Sequence, residues 1–370
     1  MLLMGYYGAH NLGDEMMLFC LRRWLKTQGV EPKLLCEGSR EAGERFRLPA
    51  TENVPLLLEW AWFDVWLRGK AFRLLNEFRE TDGLIVGGGD LIRDDRGWRV
   101  FFYTLEKVFL SVLLNKPVYL LNVGIGSPST WYGRRLLPWA LRRCRQIVVR
   151  DARSLEVCRE AGAEATFIPD IVMHLPDWLE RPRNKPAPPR KYIAVCLRST
   201  FDAFGQYQLD GIRLRNLASA LDSLAVRNGL DIVFLPFQAE QGENDNDIHA
   251  EVAKLMREQS RVLIREWTGD LAEVTQCIAG ASCVIAMRLH AAILAVACGR
   301  PCAVMPYDHK VNEAARLFNI AARITPDTLT NTAELAALLD AVLRSPAVQP
   351  RDPSANWDSV SLRAAAAPRR

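Results

Sequence analysis

Short runs rich in β-branched and aliphatic residues alternate with longer amphipathic stretches along most of this 370-residue chain. In the first half, strand-like runs fall at residues 2–7, 33–37, 84–86, 118–123, 147–150 and 166–168. In the second half, they fall at residues 192–197, 232–236, 262–266, 283–287 and 302–305. Strands that alternate with helices form βαβ units and parallel sheets, which bind ligands beyond the carboxyl ends of their strands. The order of elements therefore predicts an α/β protein.

The two halves are separated by residues 176–191, where five prolines stand among charged residues. Such a segment cannot form a helix interior or a central strand, so we interpret it as a linker. A chain of this length accommodates two domains. We predict Rossmann-like domains at 1–175 and 192–345, with parallel sheets facing each other across a cleft. Residues 346–370, rich in Pro, Ala and Arg, are expected to be extended or disordered.

The composition excludes several classes of protein. The formal net charge is only +4, so it gives no support to nucleic-acid binding. The nine cysteines form no CxxC pair, which favours a reducing compartment over a disulfide framework. The histidines lack the spacing of metal ligands, and we predict no metal. The chain starts without a signal peptide's basic region, and no uncharged apolar segment reaches the roughly 18 residues that cross a bilayer. We therefore expect a cytoplasmic protein, or one attached to a membrane surface.

The segment from Cys283 to Pro301 holds the most informative polar residues. A predicted strand ends in Met287-Arg288-Leu289-His290, and an Ala-rich helical pattern follows at once. Helix N-termini at the carboxyl ends of strands favour anions, so Arg288 and His290 would place a cation and a proton donor beside a negatively charged substrate. A second interpretation stays open from this pattern alone: His290 caps the helix, and Arg288 pairs with a surface carboxylate.

Two further cations follow predicted strands. Arg150 has a planar, permanently charged guanidinium that suits a phosphate or a carboxylate, and Asp151 or Ser154 can cap the helix after it. Lys310 follows the strand at 302–305 and would add positive charge near His290 if the two strands are neighbours. A solvated lysine at a helix start explains Lys310 equally simply.

Glycines follow two strands of the first half. Gly5, Gly8 and Gly13 lie around the end of the first strand, where Asp14 is placed to cap a helix. The run Gly87-Gly88-Gly89-Asp90 follows a later strand. Open backbone amides at such positions can receive a phosphate or a sugar, although a tight turn also requires glycine. The spacing matches neither a dinucleotide fingerprint nor a Walker loop.

Taken together, these motifs resemble the polysaccharide pyruvyl transferase family. The matching segments occur in order through nearly the whole chain: Gly5-Tyr-Tyr-Gly8, Asn11-Leu-Gly-Asp-Glu15, Gly87-Gly-Gly89, Arg150-Asp151 with Ser154, Met287-Arg-Leu-His-Ala291, Gly299 with Pro301, and Tyr307-Asp308 with Lys310. The resemblance implies a fold similar to the GT-B glycosyltransferases. It also implies transfer of the pyruvyl group of phosphoenolpyruvate to two hydroxyls of a sugar in a polysaccharide precursor, which forms a pyruvate ketal and releases phosphate.

The resemblance also implies a role for each matched position. His290 would be the general acid. The phosphoenolpyruvate-binding residues would be Arg150, Arg288, Leu289 and Lys310. The acceptor side would be lined by Asn11, Asp14, Glu15, Gly88, Gly89 and Asp90. Phosphoenolpyruvate would be the donor substrate, with no cofactor, and the acceptor a nucleotide-linked or lipid-linked sugar. Asp90 and Cys196-Leu-Arg198 depart from the commoner family residues, which leaves the sugar open.

An aromatic and basic stretch at residues 59–73, together with basic residues between Arg134 and Arg145, is typical of helices at a membrane surface. This pattern gives the hypothesis of peripheral contact with the inner face of the plasma membrane. Aromatic rings that fill the domain core are the alternative.

Two other functions fit the same fold. A GT-B glycosyltransferase in cell-surface polysaccharide synthesis would use Arg288 and Lys310 to bind the diphosphate of a nucleotide-sugar donor. A non-catalytic sugar-binding protein would retain the fold without needing His290 for turnover. Fold alone does not choose among these functions.

Overall fold

The computed structural model describes residues 1–35, 39–51, 69–179, 190–198, 211–240, 242–346 and 357–362. Contacts divide the chain into two compact units. The first unit comprises Met1–Ala9, Asp14–Ile171 and Ser354–Arg370, and the second comprises His10–Gly13 and Val172–Pro353. Both units are therefore discontinuous in sequence. A four-residue piece of the amino-terminal region belongs to the second unit, and the carboxyl terminus belongs to the first.

The first unit contains a seven-stranded parallel sheet with strand order β3-β2-β1-β4-β5-β6-β7. Its strands are β1 (Leu2–Met4), β2 (Lys33–Leu35), β3 (Ala50–Thr51), β4 (Leu84–Gly87), β5 (Val118–Val123), β6 (Gln146–Val149) and β7 (Thr166–Phe167). The central strands β1, β4 and β5 are buried along their whole length, because helices on the sheet's faces cover both sides of a parallel sheet. Their near-continuous apolar sequences follow from this burial.

The helices of this half are α1 (Leu12–Thr27), α2 (Ser39–Phe46), α3 (Lys70–Glu80), α4 (Trp98–Leu113), α5 (Trp131–Leu141) and α6 (Ala152–Glu160). Asp151 caps α6 by accepting a hydrogen bond from the Ser154 amide, which confirms one of the two predicted caps. The start of α1 differs from the prediction: Asn11, rather than Asp14, accepts from the Gly13 amide. The aromatic and basic stretch at residues 59–73 is described only from Gly69 onward, because residues 52–68 lie outside the described part.

The second unit contains a five-stranded parallel sheet with strand order β12-β9-β8-β13-β14 and a separate two-stranded hairpin of β10 and β11. Its strands are β8 (Tyr192–Cys196), β9 (Asp231–Phe234), β10 (Ala239–Glu240), β11 (Glu243–Asn244), β12 (Val262–Ile264), β13 (Cys283–Ala286) and β14 (Cys302–Val304). Its helices are α7 (Leu175–Trp178), α8 (Gly211–Asn228), α9 (Asp245–Leu255), α10 (Leu271–Gly280), α11 (Leu289–Ala297), α12 (His309–Leu317) and α13 (Thr332–Leu343). None of the helices in the described part of the chain is long and apolar enough to cross a bilayer.

Both sheets are parallel throughout, which confirms the predicted α/β class with two Rossmann-like sheets. In a parallel sheet the carboxyl ends of all strands lie at the same edge. Arg150 follows β6 at that edge of the first sheet. Arg198, Arg288 and Tyr307 follow β8, β13 and β14, which are adjacent strands of the second sheet. The residues that follow these three adjacent strands therefore lie close together at one edge of the second sheet.

Residues 357–362 are the main described part of the predicted extended or disordered tail, and they are packed against the first unit. Trp357 is fully buried within the first unit, and its indole N–H donates to the Pro169 carbonyl at 3.0 Å. The indole of Trp24 meets it edge-on at 5.2 Å between ring centroids and donates to the Trp357 carbonyl at 3.1 Å. Composition indicates a polar tail, but a single tryptophan with both polar groups satisfied is enough to anchor this segment.

We expect Trp357→Ala to lower the free energy of unfolding by about 3–5 kcal/mol, because it removes a fully buried aromatic side chain. Trp131→Ala is the matched control, since Trp131 is 77% exposed. Urea denaturation of both variants measures the effect. Equal stabilities of the two variants would show that the carboxyl-terminal segment is not anchored as described.

Candidate functional site

Arg288 is the most constrained cation of the second unit. Its guanidinium forms a bidentate contact with Asp245, through Nε to Oδ2 at 3.0 Å and through the second terminal nitrogen to Oδ1. The other terminal nitrogen donates to Oε1 of Gln238 at 3.0 Å. Asp245 also accepts from the amides of Phe237 and Gln238. Because Asp245 is fully buried and Arg288 is 7% exposed, the guanidinium is held in one orientation.

The predicted glycine loop of the amino-terminal region packs on this cluster. The Leu12 amide donates to the Phe237 carbonyl at 2.8 Å, and Asn11 forms a bridge with Gln238. A Cβ atom at residue 13 would lie 2.0 Å from Nδ1 of His290, so Gly13 is in direct contact with the imidazole. The second unit therefore brings together three of the predicted positions, Asn11, Arg288 and His290. Glycine is required at position 13 because the ring occupies the space that a side chain would need.

Three cations surround the hydroxyl of Tyr307. Arg198 donates to it at 2.9 Å and lies over its ring, with 5.1 Å from Cζ to the ring centroid. Burial alone would raise the pKa of the Tyr307 hydroxyl, but Lys310, Arg198 and Arg288 together lower it below its ordinary value. Three cations are thus clustered at the carboxyl ends of β8, β13 and β14, close enough to act on one hydroxyl. Lys310 lies near Asp308 as well, with 3.8 Å between Nζ and Oδ2.

Helix α11 begins at Leu289, directly after β13. Its N-cap residue, Arg288, makes no side-chain cap, in contrast to Asp308, which caps α12. The Leu289 side chain is buried, so only its backbone is available to a ligand. Backbone N–H groups at an uncapped helix N-terminus favour an anion. If Leu289 binds phosphoenolpyruvate, as the family resemblance implies, it does so through its backbone N–H group.

A buried histidine supports the end of β8. Nε2 of His249 accepts from the Leu197 amide at 3.1 Å, so the proton of the neutral ring lies on Nδ1, which contacts Asn246 Oδ1 at 3.0 Å. Burial, together with the charge of Arg288, lowers the pKa of His249 to about 3. The ring therefore stays neutral and holds the backbone just before Arg198.

The first unit holds a second buried arginine at a strand end. Arg150 donates to Asp90 Oδ1 at 2.8 Å and to Asp170 Oδ2 at 3.1 Å. Burial would lower the pKa of Arg150, but the carboxylates of Asp90, Asp170 and Asp151 raise it above its ordinary value. Two of the predicted site residues, Asp90 and Arg150, are thus joined directly. Acids also lie beside the cations of the second unit: Lys310 is 3.8 Å from Asp308, and Arg198 is 3.4 Å from Glu243.

The glycines before Asp90 allow this arrangement. Gly88 and Gly89 both have positive φ angles, 70° and 73°, which favour glycine. A Cβ atom on Gly89 would lie 3.8 Å from Oδ1 of Asp14, so Asp14 lies beside the turn. Glu15, also predicted on the acceptor side, is almost fully buried and pairs with Arg45 of α2.

Sequence reasoning missed the partners of the two arginines. Asp245 and Gln238 lie in a polar stretch that predicts a helix cap or a sugar site, and Asn244 does cap α9. Asp170 follows a short strand without any other signal. The one signal in the sequence is an acid that follows a strand. It does not say which arginine the acid pairs with, because that depends on which strands are neighbours in the sheet. In the described part of the chain, no group of three or more His, Cys, Asp or Glu side chains is placed to hold a metal ion.

Gly13→Ala should displace the His290 imidazole and destabilise the protein by about 1–3 kcal/mol, because the added methyl group overpacks a filled space. Gly211→Ala is the control, since the nearest side-chain atom to its Cβ, on Arg215, is 3.6 Å away. Histidine ring resonances in NMR spectra and urea denaturation measure the two effects. Unchanged ring resonances in Gly13→Ala would contradict the contact.

The pKa of His249 makes stability depend on pH. Between pH 3 and about 6.5, His249 binds a proton in the unfolded chain but not in the folded protein. The stability that the neutral ring contributes is therefore fully present above pH 6.5 and is lost as the pH falls toward 3. The loss is about 1.4 kcal/mol per pH unit below 6.5. His249→Gln should be less stable at pH 7 and show a flatter decline between pH 6 and about 4.5. Urea denaturation over this range measures both slopes, and parallel curves would exclude a neutral buried His249.

Comparison with known proteins supports the fold and identifies the family. No curated protein matches the chain. Among solved structures, the putative UDP-N-acetylglucosamine 2-epimerase from Listeria monocytogenes is 11% identical with a TM-score of 0.62, covering 93% of this chain and 88% of that one. The UDP-GlcNAc 2-epimerase from Neisseria meningitidis bound to UDP-GlcNAc is 11% identical with a TM-score of 0.59, covering 92% and 90%. Anabaena HepE in complex with UDP and glucose is 12% identical with a TM-score of 0.54, covering 93% and 89%.

At these identities the solved structures show the fold alone, and they confirm the predicted GT-B-like class. The sequence itself matches the family model described as polysaccharide pyruvyl transferase over residues 11–309. That range contains the loop at Asn11 and Gly13, both buried arginines, and His290. Because the match covers most of the chain, the protein belongs to the polysaccharide pyruvyl transferase family.

Proposed function

We propose that this protein transfers the pyruvyl group of phosphoenolpyruvate to two hydroxyls of a sugar, forming a ketal and releasing phosphate. Family membership supports a transferase of this type. The observation that supports the donor most strongly is the cluster of three cations, Lys310, Arg198 and Arg288, around the Tyr307 hydroxyl. A small molecule with a phosphate and a carboxylate matches such a surface.

The chemistry needs a proton donor beside the cations. Protonation of the methylene carbon of phosphoenolpyruvate creates cationic character at C2. A first sugar hydroxyl attacks C2, the phosphate departs with the electrons of its C–O bond, and a second hydroxyl closes the ketal. A histidine can give the first proton and later accept one from a hydroxyl. We assign this role to His290, which is the second residue of α11 and in contact with Gly13.

Each donor-side residue has a separate part in this proposal. Lys310 and Arg198 attract the phosphate as charges, and the Leu289 amide donates at the helix N-terminus. Arg288 uses three of its five N–H groups on Asp245 and Gln238, and the others can donate to the carboxylate or phosphate. The contacts to Asp245 keep the guanidinium oriented before the donor arrives.

The contacts of Arg150 support a different role from the donor binding that the family resemblance implies. A phosphate beside it would meet the carboxylates of Asp90 and Asp170. We propose that Arg150, together with Arg93 at 3.5 Å from the second oxygen, orients the Asp90 carboxylate to accept a hydrogen bond from a sugar hydroxyl. Asp14, beside the Gly89 turn, is a second acceptor for hydroxyl groups.

His290→Ala should lower pyruvyl transfer by about 10²–10⁴-fold while folding normally, because it removes general acid–base catalysis. The matched control is His174→Ala, at a histidine of the same unit whose ring stacks on Trp178 at 4.9 Å. The assay incubates each protein with phosphoenolpyruvate and a panel of nucleotide-linked and lipid-linked sugars. Phosphate release and the mass gain of a pyruvyl group are measured together.

Undiminished ketal formation by His290→Ala would exclude His290 as the general acid. Release of a nucleoside diphosphate from a nucleotide sugar, without phosphate release from phosphoenolpyruvate, would instead establish a GT-B glycosyltransferase. Binding of sugars without turnover of either donor would indicate a non-catalytic binding protein.

A further inference from the structure

Helix α4 exposes an apolar stripe to solvent. Three apolar residues follow Trp98 at spacings of four, eleven and fifteen positions, namely Phe102, Phe109 and Leu113. These spacings place all four side chains on one face of the helix. Phe109 is 53% exposed and Leu113 68% exposed. The opposite faces of α4 supply buried residues to the core of the first unit, such as Phe101 and Val108. An amphipathic helix of a soluble protein places polar residues on its outer face, so this stripe needs an explanation.

Helix α5 extends the stripe into a surface of aromatic rings. Tyr132 contacts Phe102 at 5.4 Å between centroids, and Trp139 contacts Phe109 at 5.8 Å. From the first contact to the second, both helices advance by seven residues, from Phe102 to Phe109 on α4 and from Tyr132 to Trp139 on α5. The two helices therefore run side by side in the same direction. Trp131 lies next to Tyr132 and is 77% exposed. We call the set Trp98, Phe102, Phe109, Leu113, Trp131, Tyr132 and Trp139 the aromatic surface. Phe102, Tyr132 and Trp139 are half-buried against the core, and the other four members are exposed.

The charges around the aromatic surface are positive. Arg99, Arg134 and Arg135 lie on the two helices, and Arg142 and Arg143 follow α5 directly. The guanidinium of Arg143 lies over the Trp139 ring at 4.6 Å, and that of Arg99 over the Trp98 ring at 5.6 Å. The single acid in the sequences of α4 and α5, Glu106, is buried and paired with Lys107.

We propose that the aromatic surface is a docking surface for a bilayer that contains anionic phospholipid. Tryptophan and tyrosine partition to the boundary between headgroups and acyl chains, where an apolar body and a polar tip are both accommodated. Arginines beside the rings bind lipid phosphates, and each contributes to attraction by an anionic leaflet. The combination of exposed rings with arginines and no exposed acid on α4 and α5 fits this partner.

A lipid surface fits better than a second copy of this chain. Two identical aromatic surfaces brought together would place their arginines against each other, which like-charge repulsion disfavours. An anionic bilayer neutralises the same arginines. Peripheral binding also needs no spanning helix, and none occurs among the described residues.

The test is co-sedimentation of the full chain with phosphatidylcholine vesicles that either contain or lack phosphatidylglycerol. We expect binding only with phosphatidylglycerol, and weaker binding as salt is raised. Trp131→Ala should reduce the partition coefficient about tenfold, because an exposed ring no longer enters the interface. Arg135→Glu and Arg143→Glu should each reduce the partition coefficient about fivefold or more, and the double variant should reduce it further. Lipid binding is measured without donor or acceptor, so its outcome is independent of the pyruvyl transfer proposed above.

Matched controls are taken from exposed residues of the second unit. Ile212→Ser changes an apolar side chain that is 59% exposed, and Arg316→Glu reverses an exposed charge. Both should bind vesicles like the unaltered protein. Absence of binding to anionic vesicles would overturn the proposal. So would equal loss in the controls, or a dimer in light scattering that Trp131→Ala dissociates while vesicle binding stays unchanged.

Discussion

The bidentate contact between Arg288 and Asp245 fixes the arrangement of the second unit's strand ends. Asp245 accepts from Arg288 and from two backbone amides after β9, so one buried carboxylate joins the ends of β9 and β13. The same backbone segment receives the Leu12 amide, which brings Gly13 against His290. Breaking a buried ion pair by removing one partner is strongly destabilising, since it leaves an uncompensated charge. The orientation of His290 therefore depends on a contact made by its neighbour Arg288.

Each unit holds a buried arginine after a strand, but the two have different surroundings. Arg150 is enclosed by Asp90 and Asp170, and their carboxylates balance its charge. Arg288 shares its region with Arg198 and Lys310, and these three cations lower the pKa of the Tyr307 hydroxyl. Carboxylates accept hydrogen bonds from hydroxyl groups, whereas guanidinium and ammonium groups bind phosphates. We therefore assign the sugar to the first unit, where Asp90 is held by Arg150, and phosphoenolpyruvate to the second, where three cations cluster.

Local patterns in the sequence predict the elements well. The alternation of apolar runs and amphipathic stretches predicts the parallel sheets. Polar residues directly after a strand, such as Arg288 and His290, mark the sheet edge at which a ligand site is predicted. Asp151 is predicted correctly as a cap because capping depends on residues three positions apart. The start of α1 is missed by two residues, since Asn11 and Asp14 both suit a helix start and only the contact of Asn11 with the Gly13 amide decides.

Contacts between distant parts of the chain are not predictable in this way. The partner of Arg288 lies 43 residues away, and its acidic stretch is equally compatible with a helix cap. The burial of Trp357 depends on Trp24, 333 residues earlier, and composition around it points to a solvated tail. The need for glycine at position 13 comes from the ring of His290. Each of these features depends on strand order, which periodicity does not encode.

Calorimetric titration with phosphoenolpyruvate tests most directly whether the positive strand ends of the second unit bind a small dianion. The account predicts that phosphoenolpyruvate binds and that Lys310→Gln weakens its binding by about tenfold or more, since a charge-assisted hydrogen bond is lost. It also predicts that Lys254→Gln, on α9, leaves the affinity unchanged. Equal affinities for both variants, or no binding of phosphoenolpyruvate at all, would contradict it.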